Sequence, residues 1–352
     1  MRLELFDYEL PTERIAQHPV EPRDLARLLV VRHDRFEDRR VLDLPWHLAA
    51  GDLLVVNDTR VLPARFYARR GDGRLELTLT TAVDERRWRA LAKGARRLRP
   101  GDLIELAPGF SATVEGRDRE GEVVLAFDRE GTALLEAIRQ HGAMPVPPYI
   151  RRREPLARDR VDYQTLFARR EGAIAAPTAG LHFTERLLRA LEERGVRLAT
   201  ITLHVGLGTF KPVRTADLEA HDMHAEWFEV PATTAAAIAE TRRQGGAVVA
   251  VGTTVVRTLE SVAREDGTVV PGSGETALYI LPGFRFRVVD RLLTNFHLPK
   301  STLFAMVCAF AGFRRVHAAY RHAIAQGYRF FSYGDACLLD RQDGSDQPPE
   351  EA

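Results

Sequence analysis

Ala247-Val248-Val249-Ala250-Val251-Gly252-Thr253-Thr254 runs an unbroken apolar stretch into a glycine and two threonines. An apolar run this short, with no polar alternation, is the pattern of a strand buried on both faces. Gly252 ends it, and Val255-Val256-Arg257 carries on as the start of a helix. Strand, turn and helix in that order are one half of an α/β unit, and the surrounding chain repeats the alternation. Thr233 to Gln244 reads as the preceding helix and Ala199 to Leu203 as the preceding strand. Downstream, Leu278 to Leu281 and Arg291 to Thr294 read as strands, Thr302 to Ala311 and Val316 to Gln326 as helices. Tyr328 to Ser332 is expected to close the sheet. In the first part of the chain, Asp52 to Val56 is a buried strand, while Pro11 to Ala16 and Val41 to Ala49 are short helical segments.

Between these parts the periodicity changes. Leu75 to Thr80, Trp88 to Ala92, Asp102 to Leu106, Ser111 to Glu115 and Val123 to Phe127 alternate with period two, separated by Gly71-Asp72-Gly73, Pro100-Gly101, Pro108-Gly109 and Gly121. Half-buried strands at this spacing make a small antiparallel barrel. Ala133 to His141 is a short helix, and Pro145-Val146-Pro147-Pro148-Tyr149 a stiff return connection. The expected fold is therefore α/β: a largely parallel mixed sheet domain, residues 1–64 and 151–340, interrupted by a small antiparallel β-barrel at 65–150. Residues 341–352 are acidic and read as a disordered tail.

The chain has 352 residues, 45% hydrophobic and 28% charged, with a net charge of +1. That is enough apolar content for a large core, and it excludes a polycation. No apolar run is long enough to span a bilayer, and the first residues lack a signal-peptide core. Two cysteines, Cys308 and Cys337, sit in apolar segments without a CxxC pair, which fits a reducing cytoplasm. Charge is uneven along the chain. Arg65, Arg69, Arg70, Arg74, Arg86, Arg87, Arg89, Lys93, Arg96, Arg97 and Arg99 crowd the barrel, and Arg151-Arg152-Arg153 follows it. Such patches suit phosphate contacts, or are a solvated arginine surface.

Polar residues of unusual kind collect where strands are expected to end and helices to begin, the place where open α/β sheets bind ligands. Ala175-Ala176-Pro177-Thr178-Ala179-Gly180-Leu181-His182-Phe183-Thr184 precedes a helix that Thr184 can cap. His204-Val205-Gly206-Leu207-Gly208-Thr209-Phe210-Lys211-Pro212 follows a strand, its glycines allowing close backbone approach. Gly252-Thr253-Thr254 is the third junction. Asn295-Phe296-His297-Leu298-Pro299-Lys300-Ser301 is the fourth, with Ser301 placed as a cap. Each alone also reads as a plain turn, a cap or a structural histidine; loops on one sheet edge, however, converge. His221-Asp222-Met223-His224-Ala225-Glu226-Trp227 is a further cluster. It has no HExxH, and on a strand its histidines point to opposite faces, so hydrogen bonding or proton transfer is expected there and no metal.

Taken together these blocks resemble the S-adenosylmethionine:tRNA ribosyltransferase-isomerase family of queuosine biosynthesis. The resemblance adds Ile15-Ala16-Gln17-His18-Pro19, Arg23-Asp24, Arg27-Leu28-Leu29, Val56 to Arg65 including Asn57-Asp58-Thr59-Arg60, Tyr163-Gln164-Thr165 and Tyr333-Gly334-Asp335. Glu275 stands where the family usually has an aromatic residue, and Cys337 where methionine is common. The resemblance implies an α/β domain interrupted by a barrel, and transfer of the ribosyl part of S-adenosylmethionine to a 7-aminomethyl-7-deazaguanine at the tRNA wobble position. The ribose is isomerised to an epoxycyclopentane while adenine and methionine leave. S-adenosylmethionine is then a consumed substrate, no cofactor or metal is expected, and a cytoplasmic monomer acting on tRNA is.

On that reading His182, His204 and His224 are the proton-transfer candidates. Asp58 holds ribose hydroxyls or the amine, and Glu226 orients a histidine. Thr178, Phe183, Gly206, Gly208, Thr209, Thr253, Thr254, Asn295, His297 and Ser301 contact substrate. Thr253, Thr254 and Ser301 offer helix starts to the methionine carboxylate. Arg60, Lys211, Arg257 and Lys300 are the cations for phosphate or carboxylate, and Phe183, Phe210 or Phe296 faces the sulfonium. A methyltransferase and a non-catalytic RNA-binding module are the rival classes: the first releases S-adenosylhomocysteine, the second consumes nothing.

Overall fold

A computed structural model describes residues 1–93, 98–118, 121–151, 155–206, 213, 215–342, 346, 348 and 349. Its strands are β1 Arg27–Val31, β2 Phe36–Arg40, β3 Leu53–Asn57, β4 Thr59–Val61, β5 Arg65–Arg70, β6 Gly73–Ala82, β7 Arg87–Lys93, β8 Leu103–Ala107, β9 Phe110–Arg117, β10 Val123–Phe127, β11 Arg170–Ala173, β12 Arg197–Leu203, β13 Glu226–Val230, β14 Val248–Val251, β15 Gly272–Thr276, β16 Arg291–Asn295 and β17 Ala336–Asp340. The helices are α1 Gly131–His141, α2 Asp159–Asp162, α3 Glu185–Glu193, α4 Ala232–Arg243, α5 Thr253–Ser261, α6 Thr302–Ala311 and α7 Phe313–Ala325.

Among the described residues a nine-stranded sheet runs in the order β15-β13-β12-β3-β14-β16-β17-β1-β2. Its centre, β12-β3-β14-β16, is parallel throughout. The flanks join it antiparallel, through β13 on one side and β17 on the other. Apolar runs without alternation follow from burial on both faces. Leu53 and Val55, Val248 and Ala250, and Leu292 face a core shared with α4 to α7. Leu54 and Val56, Val249 and Val251, and Leu293 face a second core under α3 and the 3-10 segment Val41–His47.

β5 to β10 form a closed barrel in the order β10-β7-β6-β5-β8-β9. Here the period-two rule holds along β5, β7 and β8: Phe66, Ala68, Trp88, Ala90, Ile104 and Leu106 point inward, while Tyr67, Arg69, Arg87, Arg89 and Leu103 face solvent. Leu134, Ala137 and Ile138 of α1 complete that core, as do Leu62, Ala64 and Ile174 from the connecting chain. The chain enters and leaves through β4 and β11, which pair in parallel.

Four local expectations change. Leu278 to Leu281 is not a strand: the Leu278 amide donates to Thr276 Oγ1 at 3.1 Å, a turn that lays this segment against α5. Tyr328 to Ser332 does not close the sheet. Only Phe330 bridges, to Ile15, and the sheet position belongs to β17. Pro11 to Ala16 holds only the 3-10 turn Thr12–Arg14. In the acidic tail, Asp346 docks on the start of α7, its carboxylate accepting from the amides of Arg314 and Arg315 at 3.0 and 3.1 Å. An acid at a helix N-terminus is favourable there. The β1–β2 hairpin, which the sequence pattern does not announce, supplies one edge.

Candidate active site

The carboxyl ends of the four parallel central strands are Asn57, Leu203, Val251 and Asn295. Asn57 ties three of the neighbouring elements together. Its Nδ2 donates to the Leu203 carbonyl at 2.9 Å and to Thr254 Oγ1 at 3.4 Å, and its Oδ1 accepts from the Leu203 and Thr59 amides at 3.1 Å. Over this edge lies a cavity of about 380 Å³. It is lined by Pro177, Thr178 and Ala179, by Val205, by Gly252, Thr253 and Thr254, and by Thr294 through Leu303. Loops from all four junctions therefore meet in one space. Tyr149, Phe331 and Ser332 line it as well.

Two helices open onto the cavity. α5 begins at Gly252, whose φ of 95° is open to glycine but strained for side chains. α6 begins at Ser301, whose hydroxyl caps the Phe304 amide at 3.2 Å as the sequence predicts. Thr184 likewise caps α3, accepting from the Leu187 amide at 3.3 Å while donating to Asp24. Thr253 and Thr254 do not cap; they line the wall.

His182 ends the 3-10 turn Thr178–His182 and is buried. Its Nε2 accepts from Asn295 Nδ2 at 3.2 Å, and the same amide group donates to the Phe331 carbonyl at 3.1 Å. Burial pushes the His182 imidazole down to about 3, with Arg23 and Arg329 adding to it. Burial alone takes His297 to about 3. His297 Nε2 meets Thr294 Oγ1 at 3.1 Å, and its amide donates to the Tyr320 hydroxyl at 3.1 Å. Both rings are neutral at ordinary pH and act through hydrogen bonds. His182 also lines a much smaller adjoining space with Arg23 and Tyr333.

His204 stands elsewhere on the same sheet edge. It stacks on Trp227 at 4.9 Å and 21°, and its Nδ1 meets Thr59 Oγ1 at 2.8 Å. Burial, then Arg170, lowers its pKa. Gly172 is required beside it: a Cβ there meets the His204 ring at 2.6 Å. Asp58 is buried and accepts from Thr202 Oγ1 at 2.6 Å. His224 is exposed, ahead of β13.

Several expected roles are corrected. Among the described residues Glu226 bonds to no histidine: it is buried in an ion pair with Arg257 and accepts from the Gly206 amide at 2.8 Å. Arg257 is in turn committed to Glu226 and to the Leu278 and Thr276 carbonyls, so it is not a free cation for phosphate. Phe183 packs edge-on to Phe167 at 5.3 Å in the core beneath α3, away from the cavity lining. Phe296 touches the cavity but is fully buried among Tyr320, Tyr328 and Phe330. Arg60 is exposed and donates to the Ala168 carbonyl at 2.8 Å. Lys300 lines the cavity and pairs with Asp7 at 2.7 Å. Gly208, Thr209, Phe210 and Lys211 lie outside the described residues, as do Arg96, Arg97, Arg152 and Arg153.

Sequence reasoning passed over Tyr149, Phe331 and Ser332. Tyr149 sat in a connection rich in proline, where a lone aromatic was the available signal. Phe331 was hidden inside an apolar run that resembles a strand. No helix among the described residues is long and apolar enough to cross a membrane.

Comparison with known proteins agrees with this architecture. The family described as "Queuosine biosynthesis protein" matches residues 3–339. A protein of Acidiphilium cryptum named S-adenosylmethionine:tRNA ribosyltransferase-isomerase is 55% identical, covering 97% of this chain and 100% of its own. One of the same name from Rhodospirillum rubrum is also 55% identical, over 96% and 98%. The crystal structure of an S-adenosylmethionine tRNA ribosyltransferase from Thermotoga maritima superposes with a TM-score of 0.53 at 38% identity, over 95% of this chain and 99% of that one.

Proposed function

Because the chain belongs to the queuosine biosynthesis protein family, we propose that it is an S-adenosylmethionine:tRNA ribosyltransferase-isomerase. Its substrates on this reading are S-adenosylmethionine and a tRNA carrying 7-aminomethyl-7-deazaguanine at the wobble position; the products are epoxyqueuosine in tRNA, adenine and methionine. S-adenosylmethionine is consumed, and neither cofactor nor metal is invoked. The observation that supports this best is the single cavity onto which all four polar junctions open.

The chemistry follows from the substrate's charge. A sulfonium acidifies the adjacent C5′ protons, so a base can remove one; the electron pair then forms C4′=C5′ as the C4′–O4′ bond breaks, and O4′ becomes a carbonyl oxygen on C1′ as the C1′–N9 bond breaks and adenine leaves with a proton. The incoming amine attacks only when neutral, a form that an apolar cavity favours. His182 and His297 supply neutral hydrogen bonds. His204, partly buried on the same sheet edge but outside the residues that line the cavity, is the remaining candidate for proton acceptor. The first-turn amides of α5 and α6 suit the methionine carboxylate. A wobble base in a single-stranded loop is splayed into a pocket at small cost.

Incubation with the modified tRNA and S-adenosylmethionine is expected to release adenine and methionine in equal amounts. S-adenosylhomocysteine as product would replace this reading with methyl transfer, and an unconsumed substrate would leave an RNA-binding module.

A further inference from the structure

A sulfonium needs an electron-rich partner, and the cavity offers no carboxylate: among the described residues lining it there is neither Asp nor Glu. Its one charged lining residue, Lys300, has the wrong sign. Besides neutral hydroxyl and amide oxygens, the lining offers the rings of Tyr149, Phe296 and Phe331, and Phe296 is fully buried among its neighbours. We propose that Phe331 and Tyr149 form the subsite for the sulfonium of S-adenosylmethionine, holding the cation against their ring faces. This rests on the preceding reading that S-adenosylmethionine is the substrate.

The geometry of Phe331 carries the argument. Among the described residues only Lys300 and Phe331 are non-glycine residues with positive φ, 54° and 75°, and both line this cavity. For an aromatic residue that conformation is strained, and it persists only where the surroundings over-determine it. Three hydrogen bonds do so. The Phe331 amide donates to the Phe296 carbonyl at 3.1 Å, and its own carbonyl accepts from the Gly334 amide at 2.8 Å and from Asn295 Nδ2 at 3.1 Å. Glycine would satisfy the same backbone without strain, so the backbone alone does not account for phenylalanine; the ring does.

That ring stands against Tyr149, with centroids 4.0 Å apart and planes at 88°. The Tyr149 hydroxyl is bonded to Ser332, which fixes its ring in turn. Burial raises the Tyr149 pKa well above its ordinary range, so the phenol stays neutral. Two perpendicular rings make a corner. A flat nucleobase stacks on an open face or between parallel faces, whereas a compact cation with three substituents seats in a corner. The corner therefore selects charge at sulfur, and S-adenosylhomocysteine, which differs by that charge and one methyl group, is the compound it rejects.

The test is equilibrium binding of S-adenosylmethionine and S-adenosylhomocysteine to the full chain without tRNA. The unaltered protein should prefer S-adenosylmethionine by about ten-fold, the scale of a desolvated cation–π contact. Phe331→Leu should bring that ratio close to one while S-adenosylhomocysteine binds as before. Tyr149→Phe should keep the ratio, and Tyr149→Leu should lower it. Phe331→Gly, freed of strain, should fold with an undiminished Tm yet lose the preference, a combination that a merely structural ring does not produce. Equal weakening of both ligands in Phe331→Leu would make the ring a stacking wall and overturn the proposal, as would an unchanged ratio in both leucine variants. If the unaltered protein bound neither compound, with tRNA present or absent, the substrate reading itself would fall, and this subsite with it.

Discussion

His182 and His297 are placed so that burial decides their chemistry. Both imidazoles are driven from an ordinary 6.5 to about 3. In the unfolded chain each takes up a proton as pH falls below about 6.5; in the fold neither does until near 3. The unfolded state therefore binds more protons across that window, and stability falls as pH drops through it. At about pH 5 the loss should be roughly 2 kcal/mol for each ring relative to neutral pH. Denaturant unfolding at the two pH values measures it, and His182→Gln or His297→Gln should flatten the dependence. An unchanged slope in both variants would mean that these rings are not the cause. None of this was readable in the sequence, where a histidine in a glycine-rich loop gives no sign of whether water reaches it.

Elements were legible where their signals were local. Thr184 and Ser301 announce the starts of α3 and α6, and both cap as expected. The barrel strands follow from alternation. What failed depended on partners distant in sequence. The run Tyr328 to Ser332 has strand composition, yet Asp335 binds the Arg329 amide at 2.7 Å and the Arg27 amide at 3.0 Å, folding it into a tight loop. Glu226, on β13, has the look of a catalytic carboxylate until Arg257 of α5 arrives beside it. Both are buried, at 7% and 4% exposure, so removing one leaves a lone charge in the interior. Glu226→Ala should cost about 3–5 kcal/mol in denaturant unfolding. Unaltered stability with lost turnover would restore Glu226 to a catalytic role.

At the scale of the whole molecule, the arginine-rich barrel is less basic than its composition suggests. Arg70 pairs with Asp102 at 3.0 Å, Arg87 with Asp84 at 2.6 Å, Arg89 with Asp118 at 3.5 Å and Lys93 with Glu76 at 2.8 Å. Arg69, Arg74 and Arg99 are exposed, and no ion pair of theirs is among those found for the described residues. If the barrel grips tRNA phosphates, replacing these three with alanine should weaken binding and reduce the slope of log affinity against log salt by about one for each phosphate no longer neutralised. An unchanged slope would move the RNA-binding surface off this face. The sequence by itself determined the two periodicities, and with them a doubly covered sheet and a one-sided barrel, because burial on two faces or one is written into every second residue. It also marked the four junctions, because turns and caps are chemistry of neighbouring residues. Only the tertiary structure decided which polar groups stay available. Pairing of Glu226 with Arg257, dehydration of His182 and His297, and the strained seat of Phe331 against Tyr149 all arise between residues far apart in the chain, and such contacts have no local signature.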